Sequence, residues 1–342
     1  MPKNVTIKDI AAQAGVSIAL VSFVMNNRIE ADGKQKYRVN ESTRQRILEV
    51  ARKLNYQPNS AARTLRSGRS MVIGVLLSDI SNMFYGEVAR QLEEIAFHQG
   101  YTVLFGSTDE SPEKLDRIAR SFLDKGVEGF IIVPCERSEK ILRHIYNIGV
   151  PLVIMDRKDY DIPAPKVVLD NVKAMKTAVN VLISRGLRRI EMISYTMKVS
   201  SIVDREQGFK DRMGEVGFTD NEIRIHHLPF NDILSATDRI IPDIVARKVE
   251  GLVFATNSLA IATTKKLSSM GVRIQKDLHL VGFDNSEVYD LFSPAIPHVR
   301  QTIEEICRKS MSLLLSLIDN KIRQEHSLVI LDGILIDSSK TI

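Results

Sequence analysis

Cysteine is nearly missing from this chain. It has two among 342 residues, Cys135 and Cys307, far apart in sequence. That leaves no disulfide framework and no Cys-x-x-Cys pair, and it suits a reducing cytosol. Long apolar runs are missing too. No stretch approaches the roughly 20 residues needed to span a bilayer, and the first residues carry no signal-peptide apolar core. A cytoplasmic protein with no membrane partner is therefore expected. Catalytic signatures are also absent: no Walker A, Gly-x-Gly-x-x-Gly, His-Glu-x-x-His or Gly-x-Ser-x-Gly. His226-His227 has no partner at metal-ligand spacing, so a surface or packing role is expected for the pair. The reading is of no enzyme, no cofactor and no metal. Neither short-period repeats nor low-complexity segments appear.

What is present is unevenly distributed charge. The formal net charge is +5, but residues 1–70 hold 13 Lys and Arg against 5 Asp and Glu. A basic first fifth on a nearly neutral body is the electrostatic footprint of a nucleic-acid-binding domain. Thr6-Ile-Lys-Asp9 is a capping-box-like helix start. Ile7, Ile10, Ala11 and Ala14 follow at helical spacing. Gly15 takes a turn, and a second helix carries Leu20, Val21 and Val24. A small residue, a turn glycine and an aliphatic lock form helix-turn-helix logic. A third helix is expected over 40–54, and the polar, basic segment 57–70 reads as a linker. In a helix-turn-helix the second helix enters the major groove, which puts Ser17, Ile18, Ala19, Ser22 and Phe23 near bases.

From Met71 onward the pattern changes. Apolar runs at 72–77, 102–105, 130–133, 152–155, 190–194, 252–254 and 278–283 alternate with amphipathic stretches. Short buried strands interleaved with helices predict an α/β fold, with parallel, doubly wound sheets. About 270 residues of this pattern suit two lobes with a cleft between them.

Several ordered motifs carry a family resemblance. They are Val5-Thr-Ile-Lys-Asp-Ile-Ala, Ala14-Gly-Val-Ser, Val21-Ser, Tyr56-Gln-Pro-Asn-Ser-Ala-Ala-Arg-Thr-Leu65-Arg-Ser-Gly, Ile73-Gly-Val, Asp79-Ile-Ser-Asn-Met-Phe-Tyr, Val281-Gly-Phe-Asp284 and Val299-Arg-Gln301. In this order, over essentially the whole chain, they resemble the LacI/GalR family of transcription regulators. The resemblance implies a headpiece over 1–58, a hinge helix or linker over 59–70 and a periplasmic-binding-protein-like core over 71–342. The core's first lobe would be about 71–169 plus 299–322, and the second 170–298 plus 323–342. It implies a homodimer on a pseudo-palindromic DNA operator, usually a repressor, controlled by a small-molecule effector of carbohydrate type. With no leucine-heptad tail after the core, a dimer rather than a tail-linked tetramer is expected.

The resemblance assigns DNA contacts to Thr6, Ser17, Ile18, Ala19, Ser22, Phe23, Asn26, Asn59, Ala62, Arg63, Leu65 and Arg66. Leu65 would wedge into the minor groove at the operator centre, where an apolar side chain unstacks and kinks the duplex. Arg63 and Arg66 suit the negative potential of a narrow minor groove. Phe23 stands where the family typically has an arginine, so bidentate guanine readout is not available there. The segment Arg28–Arg38 is longer than the family's usual link and holds Arg28, Lys34, Lys36 and Arg38.

Effector contacts are expected where strands end: Asp79, Asn82, Phe84, Tyr85, Asp156, Arg205, Thr256, Asn257, Asp284 and Gln301. Arg205 lies in the family's Arg-x-x-Gly-aromatic motif. Where many members have Asn-Asp, this chain reads Thr256-Asn257-Ser258 and lacks that carboxylate. Carboxylates and an arginine around an aromatic floor suit sugar hydroxyls.

Overall fold

The Asp9 carboxylate accepts from the Thr6 backbone N–H at 2.8 Å and from the Thr6 hydroxyl at 2.7 Å. The first helix, α1 (Ile7–Ala14), therefore begins with an otherwise orphaned donor satisfied. Gly15 ends it at φ +64°, a left-handed turn that a side chain would strain. Ser17 Oγ accepts from the Leu20 N–H at 3.2 Å at the start of α2 (Ile18–Met25). Asn40 Oδ1 accepts from the Ser42 N–H at 3.1 Å and starts α3 (Glu41–Lys53). Ile10, Ala11, Ala14, Val21, Val24, Ile47 and Ala51 meet in one small core, so the residues read as packing positions do pack. This structure is a computed structural model, and it describes residues 5–25, 39–57 and 68–337. The chain divides into two compact units, Met1–Ser70 and Met71–Ile342.

The second unit holds two six-stranded sheets. The first contains β1 (Val72–Leu77), β2 (Thr102–Ser107), β3 (Gly129–Ile132), β4 (Leu152–Met155), β5 (Pro165–Leu169) and β11 (Ser327–Leu331), in the order β11-β5-β4-β3-β1-β2. The second contains β6 (Ile190–Tyr195), β7 (Arg224–Leu228), β8 (Gly251–Phe254), β9 (His279–Phe283), β10 (His298–Arg300) and β12 (Ile334–Ile336), in the order β12-β10-β9-β8-β6-β7. All pairs are parallel except β10 with β12. The first lobe also carries α4 (Met83–His98), α5 (Pro112–Asp124) and α6 (Glu139–Asn147). The second carries α7 (Asn171–Ser184), α8 (Ser200–Glu215), α9 (Ile233–Ala246) and α10 (Asn257–Ser269). The last helix, α11 (Ile303–Ile318), buries Ile303, Ile306, Cys307, Met311 and Leu314 in the first lobe.

The two strand orders match position for position, so β4 and β9 are counterparts, as are β1 and β6. The chain passes between the lobes after β5, after β10 and after β11. That last passage corrects the expected boundary. The segment 323–342 does not lie wholly in the second lobe, because Ser327–Leu331 pairs with Pro165–Leu169 in the first sheet. Backbone pairing, not apolar pattern, decides this placement, since β11 is largely exposed.

Candidate functional site: a helix-turn-helix face and an interlobe cleft

On the headpiece, Ser17, Ile18 and Ala19 are exposed along the start of α2, and Ile18 shows 44% of its surface. Ser22 and Phe23 are half-buried on the same helix. Thr6 is exposed at the start of α1. An exposed isoleucine and two small residues at a helix start leave a face that can approach a groove closely. Asn26, Asn59, Ala62, Arg63, Leu65 and Arg66, and the segment Arg28–Arg38, lie outside the described residues.

In the core, a cleft lined by residues of both lobes lies between them. Of the residues expected there, Asn82, Phe84, Tyr85, Asp156, Arg205, Thr256, Asp284 and Gln301 line it. Two do not. Asp79 sits before α4 and closes a local turn, its Oδ1 accepting from the Ser81 N–H at 2.9 Å and the Ser81 hydroxyl at 2.6 Å. A short acid ahead of a helix does this readily. Asn257 is buried behind the wall, where its N–H donates to Asp284 Oδ2 at 3.4 Å.

The counterpart strands deliver the cleft's carboxylates. Asp156 follows β4 and Asp284 follows β9, each in the left-handed region, at φ +68° and +62°. A non-glycine residue held there costs about 1–3 kcal/mol, so the surroundings must impose it. Both turns aim a carboxylate at the cleft instead of continuing the strand. Asp156 Oδ2 accepts from the Tyr85 hydroxyl at 3.1 Å. Asp284 accepts from Gln301 Nε2 at 2.7 Å. Burial raises the Asp284 pKa above its ordinary value; nearby Arg205 and the Gln301 bond only partly offset this.

Arg205 projects from α8. Gly208, three residues on, explains the motif spacing: a Cβ there would meet the Val172 carbonyl oxygen at 2.4 Å. Glycine lets α8 lie close on α7, and Phe209 is fully buried behind it. Arg205 Nε donates to Asn171 Oδ1 at 2.8 Å and Nη1 to the Ala255 carbonyl at 2.6 Å. Its guanidinium lies 3.9 Å from the centre of the Phe283 ring, a stacked cation over an aromatic face.

The cleft also holds residues the sequence reading missed, among them Glu110, Arg157, Ser201, Tyr195 and Phe230. Arg157 Nη2 donates to Glu110 Oε1 at 2.5 Å and Nη1 to Glu110 Oε2 at 2.8 Å. Nη1 also donates to the Pro134 carbonyl, and the Ser78 hydroxyl donates to Glu110. Burial would raise the Glu110 pKa, but the Arg157 charge and the hydrogen bonds win and hold it below its usual range. Tyr195 follows the same strand-end rule at β6, and burial pushes its hydroxyl up to about 12. At the rim the lobes are tied by Asn82 Nδ2 to Ser258 Oγ at 3.1 Å and by the Lys158 N–H to Ser200 Oγ at 2.8 Å. The Lys158 ammonium also pairs with Asp204.

His226 and His227 lie on edge strand β7, paired with Glu191 at 2.7 Å and Glu206 at 3.0 Å. Among the described residues no cluster of His, Cys, Asp or Glu could hold a metal ion, and no single helix is long and apolar enough to cross a membrane.

Comparison with known proteins matches residues 6–59 to the bacterial regulatory proteins of the lacI family and residues 179–337 to the periplasmic binding protein-like domain. The HTH-type transcriptional regulator RegA of Clostridium saccharobutylicum is 31% identical over 341 residues, covering 98% of this chain and 99% of its own. The chain belongs to the lacI family. Catabolite control protein A of Priestia megaterium is another LacI-family relative, 29% identical over 314 residues, with 91% of this chain and 92% of its own covered. Among solved structures, the Lac repressor dimer bound to operator and an anti-inducer has a TM-score of 0.82 at 20% identity, over 98% of each chain. A LacI family regulator from Enterococcus faecium with bound ribose has a TM-score of 0.70 at 22% identity, over 78% of this chain and 97% of its own. The curated relatives are transcriptional regulators, not enzymes. Family membership and shared length make this LacI-family chain a DNA-binding transcription regulator.

Proposed function

We propose that the protein is a cytoplasmic, nucleoid-associated repressor whose hold on its operator is set by a small carbohydrate, or sugar derivative, bound between the core lobes. Asp156 and Asp284 carry the reading: two counterpart strands end in left-handed turns that bring one carboxylate from each lobe to one cleft. A ligand with hydroxyls on two sides bonds both lobes at once, and so favours one lobe arrangement over another. Only that difference in affinity can shift the protein between states. Aromatic neighbours Phe84, Tyr85 and Phe230 supply the apolar contact that sugar-ring faces need. The Lac repressor and Enterococcus structures, with operator and with ribose respectively, support the pairing of the two roles.

In this reading the protein works as a homodimer on a pseudo-palindromic site. Ser17, Ile18, Ala19, Ser22 and Phe23 face the major groove, and Thr6 and Asn26 also contact the DNA. Asn59, Ala62, Arg63, Leu65 and Arg66 act in the minor groove once the hinge folds on DNA, and lobe rearrangement changes hinge spacing across the dimer. The test is a genome-wide map of bound DNA, followed by footprinting with candidate effectors chosen from the neighbouring genes. A shared palindrome whose occupancy changes with one sugar is the expected result. Binding unchanged by every sugar those genes handle would overturn the carbohydrate part.

A further inference from the structure

The charged groups that line the cleft are three carboxylates, Glu110, Asp156 and Asp284, and two guanidiniums, Arg157 and Arg205. Both arginines are already engaged within the protein. Arg205 bonds Asn171 and the Ala255 carbonyl and stacks on Phe283. Arg157 is 97% buried, and the Glu110 carboxylate spans its two terminal nitrogens. Glu110 comes from the turn between β2 and α5, not from a strand or helix. That turn carries two successive non-glycine residues in the left-handed region, Asp109 at φ +51° and Glu110 at φ +56°.

The turn is fixed from its flanks. The Asp109 N–H donates to the Ser78 carbonyl at 2.6 Å, and the Ser107 hydroxyl donates to Asp109 Oδ1 at 2.6 Å. The Lys114 ammonium pairs with Asp109, and the Ser111 N–H donates to the Thr108 carbonyl at 2.9 Å. An unfavourable backbone kept by this many bonds puts one side chain in one place. A carboxylate bidentate on a guanidinium is also the geometry an anionic ligand would adopt there.

We infer that Glu110 is a specificity-determining residue: an internal carboxylate seated on Arg157 that excludes phosphorylated and carboxylated ligands and leaves the cleft to uncharged polyhydroxyl compounds. The inference rests on the carbohydrate reading and narrows it. An entering phosphate would have to break the Arg157–Glu110 pair, and would then leave a displaced carboxylate beside it in a site that is already net negative. A neutral sugar meets neither penalty. Its hydroxyls can donate to Asp156, whose Oδ1 takes no hydrogen bond among the described residues while Oδ2 holds the Tyr85 hydroxyl.

The experiment uses the full chain and inorganic phosphate as the probe. Thermal shift and calorimetry are run on the wild type, on Glu110→Gln and Glu110→Ala, and on Glu110→Ala combined with Arg157→Met. The wild type should show no saturable phosphate binding at tens of millimolar. Glu110→Ala should gain binding at least about tenfold tighter than the wild-type limit, and the added Arg157→Met should abolish it. Glu110→Gln keeps the shape without the charge, so a partial gain there separates charge from bulk. Wild-type phosphate binding that these substitutions do not alter would overturn the inference. So would a folded Glu110→Ala protein that gains nothing. A second arm titrates matched sugars with and without a phosphate, such as ribose and ribose 5-phosphate. Tighter wild-type binding of phosphorylated members would overturn the exclusion and leave the carbohydrate reading intact. A phosphate gain in Glu110→Ala with no wild-type sugar response would do the reverse.

Discussion

At Arg205 two hydrogen bonds and a ring contact fix a guanidinium before any ligand arrives. Preorganisation of this kind makes the side chain matter twice. Arg205→Ala should weaken binding of the identified effector by at least about tenfold, since a charge-assisted hydrogen bond is worth roughly 1.5–3 kcal/mol. The same change strips the partner from Asn171 Oδ1, inside the wall, and should lower stability by about 1–3 kcal/mol. Calorimetry and denaturant unfolding read the two effects separately, and unchanged effector affinity would remove Arg205 from the ligand site. Asp284 predicts a pH effect of the opposite kind. Its folded pKa lies above its unfolded value of about 3.8, chiefly through burial. The folded protein thus holds that proton more tightly than the unfolded chain. This residue's contribution to stability falls as pH rises from the unfolded pKa through the folded one. Asp284→Asn should flatten that part of the profile and raise the ligand-free melting temperature at neutral pH relative to acid, while effector binding is lost. Melting curves from pH 4 to 7 check it; a profile parallel to the wild type would contradict the burial effect. These residues were legible because each stands in a short motif at a strand end or helix turn. Arg157 adjoins one of them and was still missed. No sequence spacing ties it to Glu110, 47 residues earlier, and only the fold brings the pair together.

Among the elements, central strands were the easiest to read and edge strands the hardest. β1, β3, β4 and β8 are apolar and almost wholly buried on both faces, so they appear as continuous apolar runs. β7 reads Arg-Ile-His-His-Leu and buries only Leu228 fully, and β11 is solvent-facing along most of its length. Their hydrogen bonds, not their burial, make them strands. On β7 the half-exposed pattern conceals an ionic clasp. Glu191, on β6, accepts from Arg247 Nη2 at 3.0 Å and pairs with His226 on β7. Burial alone would raise its pKa, but these partners outweigh it and hold the carboxyl at about 2. Stability from this group is complete above the ordinary Glu value near 4.5 and disappears as pH falls towards 2. Glu191→Gln should cost about 2–3 kcal/mol at pH 7 and almost nothing near pH 2. Denaturant unfolding across that range checks it, and a penalty independent of pH would mean that packing, not charge, is what the substitution disturbs. The segment Arg28–Arg38 belongs to this scale as well. Its four basic residues follow the helix proposed to read DNA, and Asp32-Gly33 suits a tight turn between two arms. If it runs along the phosphates, replacing it with a short neutral loop should lower the slope of log K against log salt by roughly 0.9 per lost contact. Affinity should fall alike on all sequences. An unchanged slope would place the segment away from DNA.

For the whole molecule, the sequence foretold two units because charge and periodicity change together near residue 70. Basic helices end there, and alternating strands and helices begin. What was misplaced was the third passage of the chain between lobes, expected near residue 322 and found after β11, since β11 and β12 are too short to announce which sheet they join. Three passages mean that a ligand pulling the lobes together acts on several chain segments at once, and in the proposed mechanism the change reaches the headpiece through the segment that joins the two units. That segment contains Leu65, and the proposed coupling predicts how its loss should look. An alanine there removes a wedge but no charge, so contacts to phosphate survive. The slope of log K against log salt should match the wild type. Affinity for random duplex should hardly change, because non-specific binding is almost wholly electrostatic. Affinity for the operator should fall by about tenfold or more, because an uninserted side chain no longer stabilises the kinked centre that allows the two half-sites to be held together. DNA bending, measured by gel mobility of permuted operator fragments, should diminish with it. Leu65→Met, which keeps an apolar side chain of similar volume, should restore most of both. Equal loss on operator and random DNA, or full bending without the leucine, would show that residue 65 does not enter the groove.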